Sequence, residues 1–291
     1  STNFYAFLKM QNGFMRIAVT GGAGLLGRAL IEVVKEMKPD WEVTCLSRKD
    51  PGPFDGAVWK PLDVSSLDQT RGLIARINPD VVIHLAALRS PDDCEKNPDE
   101  AFRINFMGTR NVVLACDRFD TELLLMSTDQ VFYGGDSQSV HLETEKPLSA
   151  NVYGQTKILA ENFVREHLRR YWIVRTGKMF GGPNDTFSFL HMAHRMFLGG
   201  ETLRAATDWA AHTTHSFYVA RALLALLERK TYGIYHTVSP GVPTYLEIAQ
   251  YLAGQMGVPP KLIQPSTRQE IGLAAGRPKR LELSIKMWIE D

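Results

Sequence analysis

The sequence predicts an α/β fold: a doubly wound parallel sheet with helices on both faces and a smaller C-terminal lobe. Three patterns predict it. Short, nearly unbroken apolar runs recur between turn residues, as in strands buried on both faces. Helical patterns alternate with those runs. A glycine triplet joins the first run to the first helix.

The runs are RIAVT (16–20), WEVTCL (41–46), VVIHLAA (81–87), LLLMS (123–127) and WIVRT (172–176). GIYHTVS (233–239) reads as one further strand, returning to the same sheet. Helical periodicity covers Leu25–Lys38, Ser66–Ile77, Pro98–Asp117 and Tyr153–Arg170. Beyond Thr176 the pattern turns to helices and loops (187–198, 216–229 and 244–256), punctuated by Gly and Pro. The expected organisation is an N-terminal extension over 1–14, packed through Phe4, Tyr5 and Phe7. A main domain follows over 15–177, taking back 233–239, with a second lobe over 178–232 and 240–291.

Composition sets the class. The 291 residues suffice for a sizeable core, and 44% hydrophobic with 22% charged residues is ordinary for a soluble globular chain. A formal net charge of +1 gives no electrostatic reason to expect nucleic acid or a membrane surface as partner. An acidic ligand must therefore meet local cations. Cys45, Cys94 and Cys116 lack metal-ligand spacing, so no metal is expected and the cysteines fit a reducing, cytoplasmic setting. No apolar run approaches the ~18 residues of a membrane helix.

In RIAVTGGAGLLGRAL, Gly21, Gly24 and Gly27 lie between strand and helix. One permits a tight turn, one lets backbone approach a pyrophosphate, and one lets helix and sheet pack closely. Leu25 and Leu26 open the helix, whose N–H groups and dipole favour an anion. This is a Rossmann-type dinucleotide loop in its required context. The second strand ends Leu46-Ser47-Arg48-Lys49, where an acid would favour NAD. Arg48 can instead pair with a 2′-phosphate and Ser47 can donate to it. NADPH is thus the expected cofactor; Asp50 keeps NADH as the alternative. Asp63 and Val64 are placed to border the adenine, and Ala86 and Ala87 to let the cofactor approach closely.

NVYGQTK puts Tyr153 and Lys157 four residues apart, on one helix face. A phenol with a pKa near 10 is a poor proton carrier at neutral pH, and an adjacent ammonium should lower that value. Lys157 could also bond the nicotinamide ribose. Thr128, ending the fifth strand in MSTDQVF, can share a hydrogen bond with a substrate oxygen and the phenol.

With TGGAGLLG (20–27), VVIHLAA, STDQVF (127–132) and YGQTK (153–157), the chain resembles the extended short-chain dehydrogenase/reductase family over roughly 15–290. That resemblance implies Thr128, Tyr153 and Lys157 as the catalytic set, with Tyr153 protonating a carbonyl oxygen as hydride leaves the nicotinamide. Within the family, VRTGKMFG (174–181), residues 233–253 and RPKRLELSIKM (277–287) are most similar to the dTDP-4-dehydrorhamnose reductase branch. The implied reaction is NADPH-dependent reduction of the 4-keto group of a nucleotide-linked deoxy-sugar. Thr128, Asp129, Gln130 and Lys178 would face that substrate. Members of the branch carry an aromatic residue where Gln130 stands and a tryptophan where Lys178 stands; Lys178 could bind a pyrophosphate or a carboxylated sugar.

Gln130 also separates reactions. The related sugar-nucleotide dehydratases use a glutamate there as base, and an amide has no comparable basicity. Two other readings stay open. LRSPDDCEKNPDEAFRIN (88–105) is similar to the methionine adenosyltransferase regulatory subunit, which would make the chain a non-catalytic NADP-binding partner. A nucleotide-sugar epimerase would need further acid–base groups, for which His191, His194, His212 and His215 are available. A homodimer is compatible with every reading.

Overall fold

Alternate residues of each apolar run enter different cores, as a sheet covered on both faces requires. Ile17, Val19, Leu124, Met126, Trp172 and Val174 pack on one side, and Ala18, Leu123, Leu125 and Ile173 on the other. The computed structural model describes residues 13–53, 55–134, 140–182, 185–286 and 288. The extension expected over 1–14 lies, up to residue 12, outside the described residues.

The main sheet has seven strands: β1 (Arg16–Thr20), β2 (Glu42–Ser47), β3 (Val58–Pro61), β4 (Val81–His84), β5 (Glu122–Thr128), β6 (Tyr171–Thr176) and β7 (Gly233–His236). Their order is β7-β6-β5-β4-β1-β2-β3, and every pairing is parallel. The chain therefore proceeds outward from β1 in one direction and then in the other, leaving a crevice at the carboxyl ends of β1 and β4. The register sets Thr20 opposite His84 and Thr128 opposite Thr176, so these ends lie level.

The flanking helices are α1 (Leu25–Met37), α2 (Leu67–Ile77), α3 (Gly108–Arg118), α4 (Val152–His167) and α5 (Ser216–Arg229). Helices α1 and α5 supply Leu30, Val34, Leu223 and Leu227 to one core, while α2, α3 and α4 supply Ile74, Val112 and Val164 to the other. A smaller core around Phe197, Leu203 and Ala249 joins helices Phe189–Leu198 and Tyr245–Met256. No helix among the described residues is long and apolar enough to cross a membrane.

The helix expected over Pro98–Asp117 runs without a break to Arg118 but is not uniformly α. Residues Pro98–Ala101 form one turn and Phe102–Met107 are π-helical before α3 begins, and an additional helix, Pro91–Lys96, precedes them. The widened turn carries Asn105, 1% exposed, into the loop after β4. Its Oδ1 accepts from Leu88 N at 2.7 Å, and its Nδ2 donates to Leu88 O and Thr156 Oγ1, both at 3.1 Å. Local π geometry of this kind often marks a functional position.

Helix α4 is fixed to the sheet by a buried ion pair. Arg175 on β6 donates to Glu161 on α4 at 2.7 Å, with both side chains 1% exposed. Ser127 on β5 donates to the same carboxylate. Removing one partner of such a pair strands the other charge away from water. Arg175→Met should therefore lower unfolding free energy by about 3–5 kcal/mol in urea titrations; a loss under about 1 kcal/mol would contradict this account.

Candidate active site

The glycine loop has the shape its sequence implies. Gly21 sits at φ +69°, and a Cβ there would stand 2.7 Å from Ala86 N. A Cβ on Gly27 would stand 2.4 Å from Gly22 O, so only glycine permits this helix–turn contact. Gly24 is the N-cap of α1 and supplies no capping side chain, and no acid lies in the first turn. Ser66, Asn151, Ser188 and Thr244 cap their helices with side-chain oxygens. The start of α1, with Leu25, Leu26 and Gly27, is thus open to an anion, and the cradle fits a dinucleotide pyrophosphate. Ala86 and Ala87 follow β4 across the crevice, with Ala86 N 3.4 Å from Thr20 Oγ1.

The end of β2, where the sequence leads one to expect the adenosine, is richer in charge than its motif suggests. Arg48 is exposed and acts electrostatically on Asp63 and Glu100. Arg103 pairs with Glu100 at 2.6 Å and lies 3.9 Å from Asp63. Asp63 Oδ1 accepts from Ser65 N and Oγ, which fixes the turn carrying Val64. Ser47 corrects the sequence reading: its hydroxyl donates to Lys49 O at 2.8 Å and accepts from Trp59 Nε1 at 3.0 Å. With its single proton engaged, it does not donate to a 2′-phosphate in this arrangement. Arg28, which follows Gly27, was not singled out by motif; it donates to Pro51 O and Ala23 O beside this end.

Thr128 ends β5 and caps the 3₁₀ turn Asp129–Phe132. Its hydroxyl accepts from Gln130 N at 3.2 Å and donates to Asp129 Oδ1 at 3.1 Å. Asn151 caps α4 by accepting from Gly154 N at 2.8 Å, which sets Tyr153 and Lys157 on the first two turns. Lys157 is 3% exposed and donates to Met126 O at 2.7 Å. Burial brings its pKa down to about 8, with Glu161 acting in the opposite direction. The expected lowering of the Tyr153 pKa is reversed. Burial raises it, Cys94 and Asp129 add to the rise, and hydrogen bonding to Thr128 and the charge of Arg89 oppose it. The phenol is kept protonated at neutral pH.

Behind β4, His84 Nδ1 lies 2.6 Å from Thr20 Oγ1 and Nε2 lies 3.0 Å from Thr109 Oγ1. Burial, then Lys157, lowers its pKa to about 3, so it is a neutral strut.

The substrate side departs further from expectation. Gln130 is 3% exposed and its amide works within the protein, donating to Asp129 Oδ1 at 3.2 Å and accepting from Asn151 Nδ2 at 3.3 Å. It holds Asp129 rather than reaching outward. Lys178 begins the short strand Lys178–Phe180, with Nζ 5.5 Å from the Trp209 ring centroid. Its half-buried position lowers its pKa, while Asp129 acts to raise it. Trp209 carried no sequence signal, and Tyr245 and Arg277 entered only within the stretches 233–253 and 277–287 that carry the branch resemblance. Trp209 stacks on Tyr245 at 4.1 Å, and Arg277 lies 5.7 Å from the Trp209 ring while donating to Asp92 at 2.8 Å.

The histidines are structural where their partners are seen. His212 Nε2 accepts from Leu283 N at 3.0 Å, so its proton sits on Nδ1 and points to Ser239 O at 2.9 Å. His215 Nδ1 accepts from Phe217 N at the start of α5.

A glycine loop feeding an open helix end, with Thr, Tyr and Lys grouped across the crevice, defines an extended short-chain dehydrogenase/reductase. Over residues 15–291 the chain belongs to the family described as the RmlD substrate binding domain. It is 30% identical over 281 residues to dTDP-4-dehydrorhamnose reductase of Streptomyces griseus, covering 94% of this chain and 86% of that one. It is 28% identical over 278 residues to methionine adenosyltransferase 2 subunit beta of Danio rerio, covering 93% and 83%. The crystal structure of dTDP-4-dehydrorhamnose reductase from Bacillus anthracis in complex with NADP matches it with a TM-score of 0.81 at 27% identity, covering 95% of this chain and 92% of that one.

The Lys157 value gives a pH prediction. If its ammonium serves turnover, kcat/KM falls as pH rises through about 8 and Lys157 loses its proton. Lys157→Arg stays charged to far higher pH and should move that limb upward; an unmoved limb would assign it to another group.

Proposed function

We propose that this protein is an oxidoreductase that transfers hydride from NADPH to the 4-keto group of a nucleotide-linked deoxy-sugar. The observation that carries this reading is the grouping of Thr128, Tyr153 and Lys157 at the carboxyl edge of β5, across from the open start of α1. When bound, the nicotinamide supplies the hydride. The protein's own groups do the rest. Gly21, Gly24, Leu25, Leu26 and Gly27 would receive the pyrophosphate, and Arg48 a 2′-phosphate, with NADH the weaker alternative. Lys157 has protons beyond the one given to Met126 O, and these suit the ribose hydroxyls.

Tyr153 would deliver the proton to the developing alkoxide, with Thr128 hydrogen-bonded beside the phenol. The raised phenol pKa keeps the proton in place until charge develops on the substrate. Nothing in the row Thr128-Asp129-Gln130 supplies the glutamate base of a dehydratase, since the amide of Gln130 is bonded to Asp129 and Asn151. The family and the reductase relatives support the reaction class, and the free, buried cysteines suit a reducing cytoplasm.

A second reading rests on the 28% identity to methionine adenosyltransferase 2 subunit beta: a partner-binding subunit that uses the cofactor fold without turnover. Recovery of a stoichiometric enzyme partner by pull-down, with no NADPH oxidation on any nucleotide 4-keto-sugar, would favour it.

Two substitutions test the enzyme reading. Tyr153→Phe should reduce kcat by about 10²–10⁴-fold, with NADPH affinity nearly unchanged by fluorescence titration. Comparable turnover would remove Tyr153 as the acid. Arg48→Ala should lower the NADPH-to-NADH ratio of kcat/KM by about tenfold or more, the worth of one charge-assisted hydrogen bond. An unchanged ratio would place 2′-phosphate recognition elsewhere, with Arg28 the next residue to replace.

A further inference from the structure

His236 ends β7 and delivers neither hydride nor proton, yet it is buried among charged groups. Its Nδ1 lies 3.0 Å from Ser284 O, a carbonyl that can only accept. Its Nε2 lies 3.4 Å from Arg175 Nη1, a guanidinium nitrogen that can only donate. Together the two contacts fix the neutral tautomer, with the proton on Nδ1 and the lone pair turned toward Arg175. An imidazolium would set a second N–H against the guanidinium, and burial with the charge of Arg175 keeps the ring neutral. Glu143 Oε1 also faces the ring, 4.0 Å from Nδ1, and His141 and His212 act on it electrostatically.

Arg175 is thereby held from both sides. Its Nε and Nη2 donate to Glu161 at 3.1 and 2.7 Å, while Nη1 is shared between His236 Nε2 and Glu143 O, each at 3.4 Å. The guanidinium lies 4.9 Å from the centroid of the Phe132 ring, and His236 meets the same ring edge-on at 5.8 Å. His141 stacks flat on Phe132 at 4.4 Å. Phe132 closes the 3₁₀ turn that Thr128 caps, so one buried cluster anchors that turn and, through Glu161, helix α4.

The far end of the cluster is the C-terminal strand Arg280–Leu283. Ser284, whose carbonyl orders the imidazole, donates its N–H to His141 O at 2.8 Å, and Trp288 Nε1 donates to His236 O at 2.8 Å. At the near end, Glu161 lies one helical turn beyond Lys157 and favours its ammonium against burial. Lys157 also faces His84 on β4, which stays neutral. Without the His236 lone pair, Arg175 Nη1 would lose an acceptor and the guanidinium could turn away from the carboxylate it orients. We propose that His236 is a positioning residue for Lys157: it holds Arg175 against Glu161, and so makes the setting of the α4 ammonium conditional on a seated C-terminal strand. The inference rests on the reductase reading for its effect on turnover.

The test separates the two ring nitrogens. In His236→Asn the amide nitrogen can replace Nδ1 toward Ser284 O, but the side chain stops short of Arg175. In His236→Gln the longer amide can place an oxygen where Nε2 stands. Lys157 is followed by NMR in protein carrying ¹³Cε-labelled lysine, its signal assigned by its loss in Lys157→Arg, and NADPH oxidation is measured on nucleotide 4-keto-sugars. The Lys157 ammonium of the unaltered protein should titrate at about 8. His236→Asn should titrate at lower pH and lose about 10- to 100-fold in kcat, the worth of one hydrogen bond to a charged group. KM and NADPH affinity by fluorescence should stay nearly unchanged, and His236→Gln should restore both the midpoint and kcat. A midpoint unmoved in His236→Asn, or displaced equally in both variants, overturns the positioning role. Imidazole ¹⁵N shifts that place the proton on Nε2 in the unaltered protein overturn it whatever the variants do. A midpoint that moves in His236→Asn and returns in His236→Gln, without turnover in any form, upholds the role and overturns the reductase reading. Turnover with an unmoved midpoint does the reverse.

Discussion

The positions of Tyr153 and Lys157 depend on the buried pair between Arg175 and Glu161. Glu161 lies four residues beyond Lys157 and eight beyond Tyr153, so all three share one face of α4. Holding Glu161 against β6 through Arg175, and against β5 through Ser127, fixes both the rotation of the helix and its height above the sheet. Lys157 then meets Met126 O, one residue before Ser127, without further adjustment. Two charges removed from water rarely add net stability over an apolar pair, and the benefit here is positional. His236 completes the surroundings in neutral form, its pKa brought down to about 3 by burial and then by Arg175.

A second set of contacts closes the cleft from the other side. Asp92, in the helix after β4, accepts from Ala275 N at 2.8 Å and from Arg277. Asn151 Nδ2 also lies 3.4 Å from Gly276 O. The C-terminal segment is thereby drawn across both the loop after β4 and the start of α4. The cleft wall combines Asp129, Lys178, Trp209, Tyr245 and Arg277, whose mutual placement no local sequence relation dictates.

That contrast explains what could be read from sequence. The strand runs, the glycine loop and the Tyr153–Lys157 spacing are short-range patterns with a fixed period, and the structure presents each of them. Family resemblance supplied Lys178 as a position of interest. Trp209 was silent because its partners lie far away in the chain, and Arg277 entered only as part of the 277–287 stretch, with no role assigned. The π-helical turn at Phe102–Met107 escaped the helical pattern because Asn105 answers to Leu88 and Thr156, not to its own helix. Ser47 has the right identity in the right place, but Trp59 on the neighbouring strand engages its hydroxyl. Tyr153 shows the limit of reasoning from one neighbour: loss of water around the phenol, with Cys94 and Asp129, outweighs the lowering by Thr128 and Arg89.

The strand order also bears on how the protein comes to be active. Every neighbouring pair in the main sheet is parallel, so no two strands can join through a tight hairpin, and β7 is supplied only after the chain has passed through Lys178–Phe180, Phe189–Leu198 and α5. Pairings this distant in sequence form slowly, since loop entropy is lost before contacts repay it. Thr128, Tyr153, Lys178 and Arg277 therefore converge late, and a nascent or partly folded chain would carry the nucleotide loop well before it carries a complete catalytic cleft.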